Sequence, residues 1–184
     1  MIEVEVRARI DSFDDVRKVL DSMGAKLIKS SSQVDKVFGL DKFLDNECKV
    51  HEGGISARIR EEDGKTKVQF KEISRIKGAG IELSSEVGDM SLAVEFLEKL
   101  DFKECFTSRK KRDKYSFDSF IICLDDVELL GTFIEIEKMV DSSDMKEKAK
   151  EECLTLLEDV APSSVPEERK YGDLMQDIIN EGNL

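Results

Sequence analysis

The chain reads as an α+β protein, an antiparallel β-barrel with helices packed against its outside. Three observations predict it. Apolar and polar residues alternate strictly in one segment after another, the period of a strand with one buried face. Helical periodicity is confined to a few short stretches. Asp63-Gly64, between two alternating runs, is the dipeptide of a tight hairpin turn.

The first strand carries Ile2, Val4, Val6, Ala8 and Ile10 on one face and Glu3, Glu5, Arg7 and Arg9 on the other. Ser12 then N-caps a helix with the stripe Phe13, Val16, Val19, Leu20 and Met23, and Gly24 stands where a helix end needs positive φ. Residues 25–38, 55–62, 65–72 and about 80–88 read as strands. Asp89 caps a second helix carrying Leu92, Ala93, Phe96, Leu97 and Leu100. Strands follow at 102–117, 119–128 and 132–140, then helices at 143–159 and about 170–180. A shift of 77 residues lays Val16, Val19, Leu20 and Met23 on Ala93, Phe96, Leu97 and Leu100. The same shift lays Gln33, Asp35 and Phe38 on Lys110, Arg112 and Tyr115, so each half reads strand, helix, long strand. With 184 residues and prolines only at Pro162 and Pro166, one domain is expected over 1–184, with a main body to about 160 and a tail helix within about 163–184.

Composition sets limits on partners. Asp+Glu number 41 against 29 Lys+Arg, a net charge of −12, which argues against nucleic-acid or anionic-membrane binding. Ten Phe residues argue for a folded core despite 38% charged residues. Cys48, Cys105, Cys123 and Cys153 are dispersed and His51 is the single histidine, so neither a zinc site nor a disulfide framework fits. With no apolar run long enough to span a bilayer and no signal-peptide pattern, a reduced, cytoplasmic protein is expected.

The chemistry lies on the polar strand faces, which hold sorted charges instead of mixed small polar residues. Glu3, Glu5, Arg7 and Arg9 come first, then Arg58 and Arg60, then Lys67, Gln69 and Lys71. Glu82, Ser84 and Glu86 follow, then Lys110, Arg112 and Lys114, then Asp125, and finally Glu135 and Glu137. For any one strand, a solvated face with weak ion pairs explains the pattern. Taken as a set, the faces suit the inside of a barrel. Carboxylates at i and i+2 share a side about 6–7 Å apart and can bind hard divalent cations such as Mg²⁺ or Mn²⁺. Arg and Lys beside them suit phosphate oxygens. A polyphosphate bridged to protein by metal needs both kinds of residue.

Several motifs resemble a known family. Glu3-Val4-Glu5-Val6-Arg7 resembles the Glu-x-Glu-x-Lys signature of the CYTH superfamily, the triphosphate tunnel metalloenzymes. Gln33-x-Asp35-x-x-Phe38, Ala57-Arg58-Ile59-Arg60, Lys71 and Lys110-x-Arg112-x-x-Tyr115 are similar to its following motifs, in order. Leu124-Asp125-Asp126-Val127 and Leu130-Gly131-Thr132-Phe133-Ile134-Glu135-Ile136-Glu137 resemble its Leu-Asp-x-Val…Leu-Gly-x-Phe-x-Glu-Ile-Glu block. Lys170-Tyr171-Gly172-Asp173-Leu174-Met175 resembles the tail of the class IV adenylyl cyclase branch.

The resemblance implies an eight-stranded antiparallel tunnel. Its metal ligands would be Glu3, Glu5, Glu135, Glu137 and Asp125, with Glu82 or Glu86, holding Mg²⁺ or Mn²⁺. Its phosphate ligands would be Arg7, Arg9, Arg58, Arg60, Lys67, Lys71, Lys110 and Arg112, and Arg7, Lys71 and Asp125 are the candidate catalytic residues. Three activities follow: an adenylyl cyclase making cyclic AMP and pyrophosphate from ATP, a hydrolase of inorganic or thiamine triphosphate, or a module that binds without turnover. The resemblance also implies a homodimer. One departure matters, because Arg7 replaces the signature Lys and a guanidinium keeps its proton. That weakens a water-activating role and leans toward the cyclase branch.

Other features read as structure. Gly78-Ala79-Gly80 lacks dinucleotide-site spacing, there is no Walker A sequence, and His51 reads as a loop residue. Tyr115 and Tyr171 read as packing residues with bonded hydroxyls. Phe43 and Leu44 read as core, with a nucleoside contact the alternative, and the Met145–Leu157 stripe reads as amphipathic packing.

Overall fold

Alternation at the N-terminus becomes β1 (Ile2–Arg9), whose buried residues Val6 and Ala8 face inward. A computed structural model describes residues 2–45, 50–51, 53–72 and 82–182. Cys48, Gly78-Ala79-Gly80 and the side chain of Glu82 lie outside the described residues. α1 (Phe13–Met23) starts where the Ser12 hydroxyl accepts from the Asp15 N–H and ends at Gly24, whose φ of 79° is the left-handed C-cap expected there. The remaining elements are β2 (Lys26–Leu40), β3 (Ile55–Glu62), β4 (Lys65–Glu72), β5 (Glu82–Val87), α2 (Met90–Lys99), β6 (Phe102–Phe117), β7 (Phe120–Val127), β8 (Gly131–Val140), α3 (Lys146–Val160), β9 (Val165–Pro166) and α4 (Tyr171–Asn180). Asp63 and Gly64, both at positive φ, make the β3–β4 turn.

The class is the expected α+β one, with an antiparallel sheet. Among the described residues it has nine strands in the order β5-β4-β3-β2-β6-β7-β8-β1-β9, one more than the family resemblance implies, because the tail adds the two-residue β9 beside β1. The chain divides into two compact units, Met1–Ser31 with Lys110–Arg169, and Ser32–Arg109 with Lys170–Leu184. The long strands β2 and β6 run through both.

In the first unit, Val6, Ala8, Ile122, Leu124, Ile134 and Ile136 turn one strand face toward Val16, Leu20, Cys153, Leu156, Leu157 and Val160 of α1 and α3. Each fully buried aliphatic side chain contributes about 1.5–3 kcal/mol. The opposite face of the same strands carries the charges. In the second unit, Phe38, Ala57, Ile59 and Phe102 pack under Ala93 and Leu97 of α2.

Two expectations are adjusted. The second helix uses less of its apolar stripe than its sequence suggests. It packs through the row Ala93–Leu97, where the small Ala93 allows close approach, while Leu92, Phe96 and Leu100 are 65%, 66% and 51% exposed. The third helix begins later than 143, because Ser143–Met145 form a 3-10 turn and Met145 offers no side-chain cap.

Candidate metal and phosphate site

Cross-strand register decides which charges meet. In the first unit, Arg7 lies opposite Glu135, Glu5 opposite Glu137, and Arg112 opposite Asp125. Each pair shares a face because side chains alternate along every strand. One oxygen each of Glu5, Glu135 and Glu137 lie within 4.8 Å of one another. Arg7 borders this group, its Nε donating to Glu135 Oε1 at 2.7 Å and its Nη2 to Glu5 Oε1 at 3.1 Å. Arg112 donates to Asp125 through Nε at 2.6 Å and Nη2 at 2.5 Å, a fork-on-carboxylate geometry. Its Nη2 also reaches Glu135, and Lys110 Nζ donates to Asp125 Oδ2 at 3.0 Å.

The second unit repeats the device with the signs exchanged. Here the acid sits on the long strand and the base on the hairpin strand. Arg60 forks onto Asp35, both bonds 2.6 Å, and Arg58 donates to Gln69 Oε1 through Nε and Nη2. The register carries on across the sheet as Asp35–Arg60–Lys67–Glu86 and, one row over, Arg58–Gln69–Ser84. Asp35 and Arg112 are positions that the 77-residue echo superposes.

Residues 1–171 match the CYTH domain. The chain belongs to the CYTH family. A Methanocaldococcus jannaschii protein provisionally named an adenylate cyclase is 34% identical over 160 residues, spanning 85% of this chain and 88% of its own. A conserved hypothetical protein of Pyrococcus furiosus has a TM-score of 0.74 at 27% identity, over 94% of this chain and 99% of that one. A Hippeastrum protein, provisionally called an adenylyl cyclase and described as having a dominant triphosphatase activity, shares the fold with a TM-score of 0.65 at 19% identity, over 100% and 97% of the two chains.

CYTH proteins bind triphosphate substrates and the family implies divalent metal, so the carboxylate group can be tested for fit. Three clustered carboxylates are hard oxygen donors of the kind Mg²⁺ and Mn²⁺ prefer. The electrostatics agree. Although 43% of the Glu5 side chain is exposed, partial loss of water around its carboxyl raises it above its ordinary range, and the charge of Glu135 adds to it. Burial likewise raises Glu137, helped by Glu3 and Glu135. Carboxylates whose pKa is raised by crowding would be stabilised in their charged form by added positive charge, and a divalent ion supplies it. The residues present fit such an ion.

The basic members behave differently. Burial opposes the charge on Arg112, but the bonds and charges of Asp125 and Glu135 outweigh it and raise its pKa. Burial alone would raise Asp125; its bonds from Arg112 and the charge of Lys110 hold it below its ordinary value. Lys110 is lowered, chiefly by burial. Cys123, between these charges, is pushed up to about 12 by burial, so its thiol stays protonated and inert.

The expected site residues separate into distinct environments. Glu5, Glu135 and Glu137 come together, with exposed Glu3 electrostatically coupled to Glu5 and Glu137. Asp125, fully buried, is engaged by Lys110 and Arg112 and lies outside the three-carboxylate group. Glu86 lies 3.8 Å from Lys67, both well exposed. Lys71 is exposed and opposite Glu82 in register. Arg9 donates to the Leu130 carbonyl at 2.9 Å and covers the Phe133 ring at 4.7 Å. His51 is exposed, and Tyr115 is buried beside the Arg17 guanidinium. Cys123 and Cys153 are buried free thiols, the Cys105 thiol donates to the Lys103 carbonyl at 3.8 Å, and no helix among the described residues is long and apolar enough to cross a membrane.

Two participants had no role in the sequence reading. Asp35 was visible only as a motif residue, and its sign-exchanged echo with Arg112 is the signal that identifies it. Glu167, whose carboxylate pairs with Arg9 and Arg169, sits in an acidic, aperiodic tail where no pattern marks it.

Proposed function

We propose that this CYTH protein is a class IV-like adenylyl cyclase, converting ATP to cyclic AMP and pyrophosphate with Mg²⁺ or Mn²⁺ in the cytoplasm. The observation that carries the reading is the Glu5–Glu135–Glu137 oxygen cluster bordered by Arg7 and Arg112 on one strand face. Those carboxylates would hold the divalent ion, which supplies charge neutralisation at the phosphates when bound. Arg7, Lys110 and Arg112 would donate to phosphate oxygens, and Arg9, Arg58, Arg60, Lys67 and Lys71 are proposed as further phosphate ligands. Fixed donors at oxygens that gain charge lower the barrier without reorganisation. Asp125 would act by holding Lys110 and Arg112 at the angle their donors need. In this reading the ribose 3′-oxygen would attack the α-phosphorus and give its proton to solvent water, while the bond from the α-phosphorus to the oxygen bridging it to the β-phosphate breaks and pyrophosphate leaves.

Arg7 supports cyclisation over hydrolysis. A guanidinium clamped by Glu5 and Glu135 stays charged, so it orients phosphate and does not take a proton from water. The cyclase name of the Methanocaldococcus relative agrees. The test offers ATP, inorganic triphosphate and thiamine triphosphate separately with Mg²⁺ and with Mn²⁺. Cyclic AMP with equimolar pyrophosphate is expected. Orthophosphate release instead would make the protein a triphosphatase, and binding without product would leave a triphosphate-binding module.

A further inference from the structure

After α3 the chain turns back and lies along the free edge of β1. Val165 and Pro166 pair with Arg9 and Ala8, and the Glu167 N–H donates to the Arg7 carbonyl at 2.9 Å. The Glu167 side chain is 9% exposed. Its carboxylate accepts from Arg169 three times, from Nε at 3.0 Å, Nη2 at 3.0 Å and the main-chain N–H at 3.2 Å, and lies 3.5 Å from Arg9 Nε. The bonds from Arg169 bring its pKa down to about 2, so this clamp stays charged.

The consequence falls on Arg7. With Arg169 folded back onto Glu167, the Arg169 carbonyl accepts from Arg7 Nη1 at 2.7 Å. The guanidinium then meets three acceptors in different directions: Glu135, Glu5 and this carbonyl. Arg7 is 8% exposed, although a cleft of about 290 Å³ lined by Glu5, Arg7, Pro166 and Glu167 opens beside it. A neutral carbonyl holds one N–H and leaves the charge of Arg7 available.

We propose that Glu167 is a positioning residue: its carboxylate clamps Arg169 so that the Arg169 main-chain carbonyl fixes the Arg7 guanidinium. Its bearing on substrate rests on the reading that Arg7 contacts triphosphate. The strap from Val165 to Arg169 is therefore a working part of the site. Glu167 touches no reacting group itself.

The test uses the full chain with Glu167→Ala and Arg169→Ala, which release the clamp from either end, and Glu167→Gln should the alanine variant fail to fold. Nitrogen NMR of the Arg7 guanidinium reports rotation of its terminal nitrogens without any ligand. Slow rotation in the wild type and fast rotation in both variants are expected; equal rates would overturn the proposal. Calorimetric binding of inorganic triphosphate with Mg²⁺ is the second readout. A loss of about tenfold is expected, as for other residues that orient a ligand-binding group. In an Arg7→Ala background the same Glu167→Ala change should cost less than about twofold, since the effect passes through Arg7. An equal loss in both backgrounds would reduce Glu167 to a general structural role and overturn the proposal. Released Arg7 rotation in a protein that binds no triphosphate would uphold the clamp and refute the phosphate reading.

Discussion

Replacing Asp125 by Asn keeps the size of the side chain and removes one charge from a fully buried ion cluster. Asp125 receives Arg112 at 2.6 and 2.5 Å and Lys110 at 3.0 Å. An amide offers one acceptor and turns an N–H₂ group toward cations, so at least one charge-assisted bond worth about 1.5–3 kcal/mol is lost. Arg112 and Lys110 stay buried, at 15% and 8% side-chain exposure, with less opposing charge. Breaking a buried pair from one side costs about 3–5 kcal/mol. At about 2–4 °C per kcal/mol for a chain of this size, Tm should fall by roughly 6–20 °C. The assay is calorimetric melting with and without EDTA. The drop should appear in full in EDTA, since protein charges alone produce it. The stability Asp125 contributes is present above its ordinary value of 3.8 and lost as pH falls through its lower folded value, so wild type and variant should converge below pH 3.8. An EDTA Tm within about 2 °C of wild type would refute the reasoning and leave Asp125 as a metal ligand first.

Further outcomes follow from the site and from the packing of α2. Glu5→Gln should abolish turnover and weaken Mn²⁺ binding, read by electron paramagnetic resonance, with little change in Tm because the side chain is 43% exposed. Glu135→Gln should abolish turnover too but also lower Tm, since Glu135 is buried and accepts from both Arg7 and Arg112. The raised Glu5 and Glu137 carboxyls bind protons more tightly folded than unfolded, so stability should fall as pH rises through the window above 4.5. Within that window Mg²⁺ should displace those protons, binding more tightly as pH rises; calorimetry there in buffers of different ionisation enthalpy reads the release, and no release would contradict the site. In α2, Leu97→Ala should cost about 2–5 kcal/mol and Phe96→Ala little by urea unfolding, because Leu97 is 1% and Phe96 66% exposed.

Much of the fold was legible in the sequence. Alternation located β1, β3 and β4 to within a residue, and Ser12, Gly24, Asp89 and Asp63-Gly64 marked ends and turns, because cap and turn chemistry is local. The limits of that reading are also physical. Leu92, Phe96 and Leu100 share a helical stripe with Leu97, but which row meets the sheet depends on the surface beneath it. The two-residue β9 carries no period to detect, and it exists because the β1 edge offers free backbone groups.

The site divides along the same line. A side-chain period of two, which sequence alone determines, puts Glu3, Glu5, Arg7 and Arg9 on one face and Glu135 and Glu137 on another. Whether a carboxylate then meets a cation or other carboxylates depends on strand order and register, which are properties of the folded chain. Register sets Arg7 against Glu135 and Glu5 against Glu137, making a cation-short cluster beside a permanent positive charge. It also sets Asp125 against Arg112, where the carboxylate accepts from both Arg112 and Lys110. The strap that holds Arg7 lies 162 residues away in the chain, a distance only tertiary folding closes.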